Sequence, residues 1–182
     1  MPEPGSRRAE VVAAAMALLE EHGAEAVTMR AVAARVGIRA PSLYKHFPDK
    51  LHLEAELIAE GFRRAAEVFA DAVAGAPEPL AALARTYRAW GNANPHLYRL
   101  MNQRPLRRDL LPAGVEDSAA APLVAATGHD ADLARAAWAL AHGLTSLELD
   151  DRFPPGADVD AAWEVGIGAL QRAVDEAATR RR

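Results

Sequence analysis

Residues 28–47 read TMRAVAARVGIRAPSLYKHF, and their spacing leaves few folds open. Val32 and Val36 lie four apart before Gly37, and Leu43 and Phe47 lie four apart after it, with Ile38 directly behind the glycine. Residues four apart share one face of a helix. The pattern predicts two short helices whose apolar faces meet across a tight turn. Gly37 suits that turn, because a left-handed backbone has no Cβ to clash there. Thr28 can cap the first helix. Pro41 falls in the first turn of the second, where a missing N–H is tolerated, and Pro48 ends it. Ala33 is small, as a close helix crossing requires. Together these features spell a helix-turn-helix, with Leu18 and Leu19 of a preceding helix closing its small core.

The rest of the chain repeats the helical signal. Of 182 residues, 43 are alanine, whereas valine and isoleucine together number 15. That balance favours helix over sheet. Val11, Val12, Ala15, Leu18 and Leu19 form one stripe, stopped at Gly23. Asp49 opens a long helix to about Val73, with Leu57, Ile58, Phe62, Ala65, Phe69 and Val73 on its buried side. Leu80, Leu83, Tyr87 and Trp90 mark another, and Asn94-Pro95 reads as cap and first turn of a short helix to Met101. Asp130 opens a helix carrying Leu133, Ala137, Leu140, Leu144 and Leu147, and Asp158 opens a last one carrying Val159, Trp163, Ile167, Leu170 and Val174. The terminal Arg180, Arg181 and Arg182 read as frayed. Residues 102–129 resist assignment, because Pro105, Pro112, Gly114, Pro122 and Gly128 interrupt any continuous helix. About nine helices and no strand are expected, an all-α fold.

Several function classes drop out. With no cysteine, disulfide scaffolds, thiol catalysis and cysteine-ligated metals are excluded. No apolar run approaches the length of a membrane span, and the first ten residues lack the apolar core of a signal peptide, so a cytoplasmic protein without membrane contact is expected. No phosphate-binding glycine loop, HExxH or nucleophile elbow occurs, and no cofactor, metal or catalytic residue is assigned. His142 tempts as a metal ligand or base. However, Trp138, Ala139, Thr145 and Ser146 occupy its helical neighbours, so a hydrogen-bonded structural imidazole is the simpler reading. The net charge of −4 argues against a general nucleic-acid coat. Its distribution is more telling. Thr28 to Pro48 contains Arg30, Arg35, Arg39, Lys45 and His46 and no acid, whereas residues 51–182 hold 14 basic and 19 acidic residues.

That cationic stretch spans both helices of the turn and ends on the second. Opposite its apolar side stand Arg39, Ala40, Ser42, Tyr44, Lys45 and His46, slim at the N-terminal end and rich in donors. Such a surface can enter a major groove while Arg39, Tyr44, Lys45 and Lys50 meet phosphates. The segment resembles the DNA-binding domain of TetR-family transcriptional regulators. The match lies in Thr28, Val32-Ala33, Val36-Gly37-Ile38, Leu43-Tyr44, His46-Phe47, Lys50 and Leu53, within a pattern spanning about Ser6 to Leu57. The resemblance implies a DNA-contact set of Thr28, Arg39, Ala40, Ser42, Leu43, Tyr44, Lys45, His46 and Lys50. Arg39 departs from the family, where serine commonly follows the turn. It cannot cap the helix as serine would, and base preference therefore does not transfer.

Residues 87–101 and 138–149 are similar to a TetR-type C-terminal domain named for its Trp, His and Gly, here Trp138, His142 and Gly143, with Gly61-Phe62 fitting the same subgroup. Gly143 is expected to let two helices approach closely. The resemblance implies an N-terminal DNA-binding domain over 1–50 and a ligand-binding and dimerisation domain over 51–182, joined by the long helix at about 49–73. Phe62, Phe69, Tyr87, Trp90, Tyr98, Met101, Trp138 and His142 would line a cavity for a small-molecule inducer, although each could equally be plain core. Leu140, Leu144, Leu147, Trp163, Ile167, Leu170 and Val174 would form the seam of a homodimer, against intramolecular packing. Such a dimer would act as a repressor on a palindromic duplex operator, its recognition helices about 34–36 Å apart or a multiple of a turn. A transcriptional activator of the same fold, or an all-helical small-molecule-binding protein or enzyme, would share many of these features.

Overall fold

The computed structural model describes residues 6–180; Arg181 and Arg182 of the expected frayed tail lie outside the described residues. Among the described residues there are nine α-helices and no strand: α1 (Arg7–His22), α2 (Met29–Val36), α3 (Ala40–Leu43), α4 (Lys50–Val73), α5 (Pro79–Ala93), α6 (Pro95–Asn102), α7 (Val115–Ala126), α8 (Ala131–Leu149) and α9 (Val159–Arg180). Single 3₁₀ turns lie at Ala24–Ala26 and Arg108–Leu110.

The caps are those that the local sequence dictates. Thr28 Oγ1 accepts from the Ala31 N–H, Asp49 Oδ1 from His52, Asp130 Oδ1 from Asp132 and Leu133, and Asp158 Oδ1 from Ala161. Each satisfies N–H groups that a helix start leaves bare, a contribution of about 1 kcal/mol. Asn94 is the exception: its side chain makes no capping bond, and Pro95 alone begins α6.

The packing falls into two units. The first comprises the chain to Arg63 together with Asn94–Val115. Its buried side chains include Val11, Ala15, Met16 and Leu19 of α1, Val32 and Ala33 of α2, and Leu43 and Phe47. Leu53 and Leu57 of α4 join them, as do Leu97, Tyr98, Leu100 and Met101 of α6. Leu18, Val36 and Ile38, expected at the centre, are only half-buried.

The second unit comprises Arg64–Ala93 and the chain from Glu116 on. Within it Ala84 of α5, Ala141 of α8 and Trp163 of α9 make one core cluster, with Leu144, Val159 and Ile167 packed against it. The close approach between α8 and α9 is at Gly166, not at Gly143. A Cβ on Gly166 would stand 2.7 Å from Leu140 Cδ2, whereas one on Gly143 would meet nothing within 4 Å.

The stretch after α6 departs from expectation. Pro122, read as a helix breaker, sits inside α7 and is buried. Proline costs a helix interior about 3 kcal/mol, so burial of this apolar face outweighs local propensity. The helix ends at Gly128 instead, with φ +66° and the His129 N–H returning to Val124 O.

Candidate nucleic-acid interface

The turn between α2 and α3 closes as a Schellman motif. Gly37 takes φ +74° and ψ +28°, its N–H reaches Ala34 O, and the Ile38 N–H reaches Ala33 O. This sets the direction in which the chain enters α3. Arg39 takes the cap position of α3 with an extended backbone and no side-chain cap bond, which leaves its guanidinium at the exposed end of the helix. By hydrogen bonding α3 is one turn long, and it runs into a tighter turn in which the His46 and Phe47 N–H groups both return to Leu43 O.

Leu43 and Phe47 are each 0% exposed and anchor this element from beneath. Leu43 is therefore core and not part of the surface, which corrects its place in the expected contact set. Around it the other candidates divide as the helical period requires. Thr28, Arg39, Tyr44 and Lys45 are exposed, and Ala40, Ser42, His46 and Lys50 are half-exposed. Tyr44 is 50% exposed and presents an aromatic ring and a hydroxyl next in sequence to the exposed Lys45. Of the other cations, Arg35 forks onto Glu21 of α1, which holds the Glu21 carboxyl below its usual range through that hydrogen bond.

An unforeseen residue braces this surface. Arg8 of α1 donates to His46 O at 2.8 Å and to Glu56 Oε2 at 2.7 Å, and its guanidinium lies 4.2 Å from the centre of the Phe47 ring. Arg63 holds the other oxygen of Glu56 at 2.9 Å. Burial pushes the Glu56 carboxyl up, but the Arg8 and Arg63 hydrogen bonds outweigh it and leave its pKa lowered. Arg8 thus ties α1, the end of the α3 turn and α4 together. No local spacing announces it, because its partners lie 38 and 48 residues away. Lys50, expected to anchor a phosphate, is partly engaged within the head: its ammonium donates to Ala24 O at 3.3 Å and lies 3.4 Å from Glu54.

The candidates for a ligand cavity are distributed over both units. Phe62, Tyr98 and Met101 belong to the first, where Tyr98 and Met101 are buried. In the second, Phe69 packs with Ala65 and Leu83, and Tyr87, Trp90 and Leu123 pack against them. The Phe69 ring lies 5.8 Å from Tyr87 and 6.2 Å from Trp90, the latter edge-on. Trp138 is 49% exposed and stacks on His142 at 5.9 Å. Partial burial holds the His142 imidazole below its ordinary pKa.

Among the seam candidates, Trp163 is 6% exposed and turned into its own unit, where its Nε1 donates to Glu148. Leu140, Leu144, Ile167, Leu170 and Val174 are half-buried, and Leu147 is exposed. Val165, unremarked in the sequence, is 73% exposed. Among the described residues no group of three or more His, Asp or Glu is placed to hold a metal ion, and no helix is long and apolar enough to cross a membrane.

Among the described residues the fold is all-helical, and its N-terminal unit presents a helix-turn-helix, the architecture of a helical DNA-binding class. Residues 11–57 match the model of bacterial regulatory proteins of the tetR family, and residues 80–170, half of the chain, match the tetracyclin repressor-like C-terminal domain. The chain belongs to the TetR family.

The HTH-type transcriptional repressor KstR of Rhodococcus jostii (strain RHA1) is 43% identical over 58 residues, 32% of this chain and 27% of that protein. The match thus spans little more than a quarter of that relative. The crystal structure of SCO4313 superposes with a TM-score of 0.73 at 28% identity, over 90% of this chain and 94% of that one. The multidrug binding protein EbrR, crystallised with imidazole, shares the fold at a TM-score of 0.58 and 24% identity, over 91% of this chain and 94% of its own.

Proposed function

We propose that the chain is a cytoplasmic transcriptional repressor that binds a palindromic operator as a homodimer and leaves it when a small molecule binds the C-terminal domain. The observation that carries the reading is the exposed set Arg39, Tyr44 and Lys45 on an element anchored from beneath by Leu43 and Phe47. A cationic face on a short helical element held from beneath is what major-groove docking needs. Thr28 and Lys50 flank it as phosphate contacts, and Ala40, Ser42 and His46 complete the groove-facing surface.

A single short element makes few base contacts, and two-fold symmetry doubles them. The seam would use Leu147 with the exposed Trp138 and Val165, joined by the half-buried Leu140, Leu144, Leu170 and Val174. The domain division at residue 50, and the subgroup marked by Trp138, His142 and Gly143, belong to this proposal. The aromatic cluster of Phe69, Tyr87 and Trp90 would supply an apolar wall for the inducer, and a ligand that favours one spacing of the heads shifts the population away from DNA.

Selection of duplexes from a random library, followed by a salt titration of the winner, tests the reading. A palindromic winner bound far more tightly than random DNA is expected. Lys45→Ala should then weaken binding to every sequence alike and lower the slope of log K against log salt by about one. Weak, unselective binding would overturn the proposal.

A further inference from the structure

Glu54 lies on α4, inside the head, with its side chain 8% exposed. A carboxylate so buried calls for strong partners. Its Oε1 has no hydrogen-bond partner among the described residues, yet two cations stand beside it. Lys50 Nζ is 3.4 Å away and Arg104 Nη1 is 3.6 Å away. Neither is close or aligned enough to close on it. Lys50 comes from the same helix, four residues earlier. Arg104 comes from the stretch just after α6, part of the segment that sequence reading leaves unassigned, and its other nitrogen holds the exposed Glu25 at 2.9 Å.

Two cations thus share one buried charge, and the sharing keeps the Lys50 ammonium loosely held. Its hydrogen bond among the described residues, to Ala24 O, is long at 3.3 Å. An ammonium has three N–H groups, so Lys50 retains donors for another anion.

We propose that Glu54 is a positioning residue for Lys50, and that Arg104 controls how tightly Glu54 holds it. With Arg104 in place, the charge of Glu54 is divided between two cations and Lys50 can donate to a DNA phosphate. When the segment after α6 draws Arg104 away, the buried carboxylate has Lys50 as its one remaining cation. It then closes on the ammonium and takes it out of competition for phosphate. Residues 94–115 lie in the stretch matching the C-terminal family model yet pack within the head. A shift of that segment would therefore reach the DNA anchor through one ion pair. The inference rests on the reading of Lys50 as a phosphate contact.

The test uses the full chain and the selected duplex, with wild-type, Lys50→Gln, Arg104→Gln, Glu54→Gln and the double variant Arg104→Gln/Glu54→Gln, each checked for helical folding. Lys50→Gln and Arg104→Gln should each lower the salt slope by about 0.9, the loss of one phosphate contact. Adding Glu54→Gln to Arg104→Gln should restore the slope, because no carboxylate then competes for Lys50. A slope that falls in Arg104→Gln and is not restored would make Arg104 a phosphate contact in its own right and overturn the proposal. An unchanged slope in Arg104→Gln would also overturn it. If wild-type shows no selective binding, or Lys45→Ala leaves its slope unchanged, the DNA reading itself fails, which is a separate result.

Discussion

Each unit of the molecule is braced by an arginine that joins three elements, and the two braces differ in what they hold. In the head, Arg8 ties α1 to the end of the α3 turn and to Glu56 of α4. In the second unit, Arg88 of α5 meets both oxygens of Glu148 on α8 with Nε and Nη2, at 2.7–3.0 Å, and reaches Asp160 on α9 at 2.6 Å. Trp163 lies under the Arg88 guanidinium at 5.7 Å and donates to the same Glu148. The Glu148 hydrogen bonds, chiefly, raise the Arg88 pKa further above its already high value. The Arg88 brace secures three helices and no exposed candidate residue. The Arg8 brace bonds a backbone carbonyl two residues after Tyr44, next to the candidate groove surface. The same device should therefore read out as stability in one place and as DNA affinity in the other.

Removing the larger brace should have the larger effect. Arg88→Ala strips Glu148 of its bidentate partner while leaving the carboxylate mostly covered, and should cost about 2 kcal/mol, below the range for fully buried pairs because Asp160 is exposed. Urea denaturation measures it, and Arg88→Ala protein that remains folded should bind DNA as wild-type does. A loss under about 0.5 kcal/mol would show the three helices to be held by packing alone.

Arg8→Ala should cost less stability, about 1 kcal/mol, but weaken DNA binding about tenfold, the equivalent of about 1.4 kcal/mol. Because Arg8 holds the surface without itself meeting phosphate, the salt slope should stay unchanged. A fall of about one in the slope would reassign Arg8 to the DNA backbone.

The smallest effect separates the braces by pH. The Glu56 pKa is lowered in the folded head, so its contribution to stability is complete above the unfolded glutamate value of about 4.3. It is lost as pH falls through the lower folded value. Wild-type should therefore exceed Glu56→Gln in melting temperature at pH 7, with the gap closing toward pH 3. A gap that does not narrow as pH falls below the unfolded value would place the contribution of Glu56 in packing and not in charge.

The head was easier to read from sequence than the second unit, for a physical reason. The Gly37 turn, the Thr28 cap and the Leu43–Phe47 pair act within a few residues of one another, and such local terms survive almost any tertiary setting. Trp163 and Leu147 lie on stripes just as regular. Periodicity shows that a face is apolar, however, and does not show whether the chain's own helices or a second copy cover it. Trp163 went to the core and Leu147 to the surface. Gly143 and Gly166 make the same point, since only the packed partner Leu140 tells which glycine is needed for close approach.

Among the described residues, the order of every helix but α7, most of their caps, the helix-turn-helix and the exposed Arg39, Tyr44 and Lys45 on it are properties of the sequence alone. They follow from helix period, capping chemistry and backbone sterics, all of which act locally. The burial of Pro122 inside α7, the bracing by Arg8 and Arg88, and the meeting of Lys50, Glu54 and Arg104 were decided by the tertiary structure. These depend on which distant charges and apolar faces share a low-dielectric interior, and that neighbourhood exists only once the chain has folded.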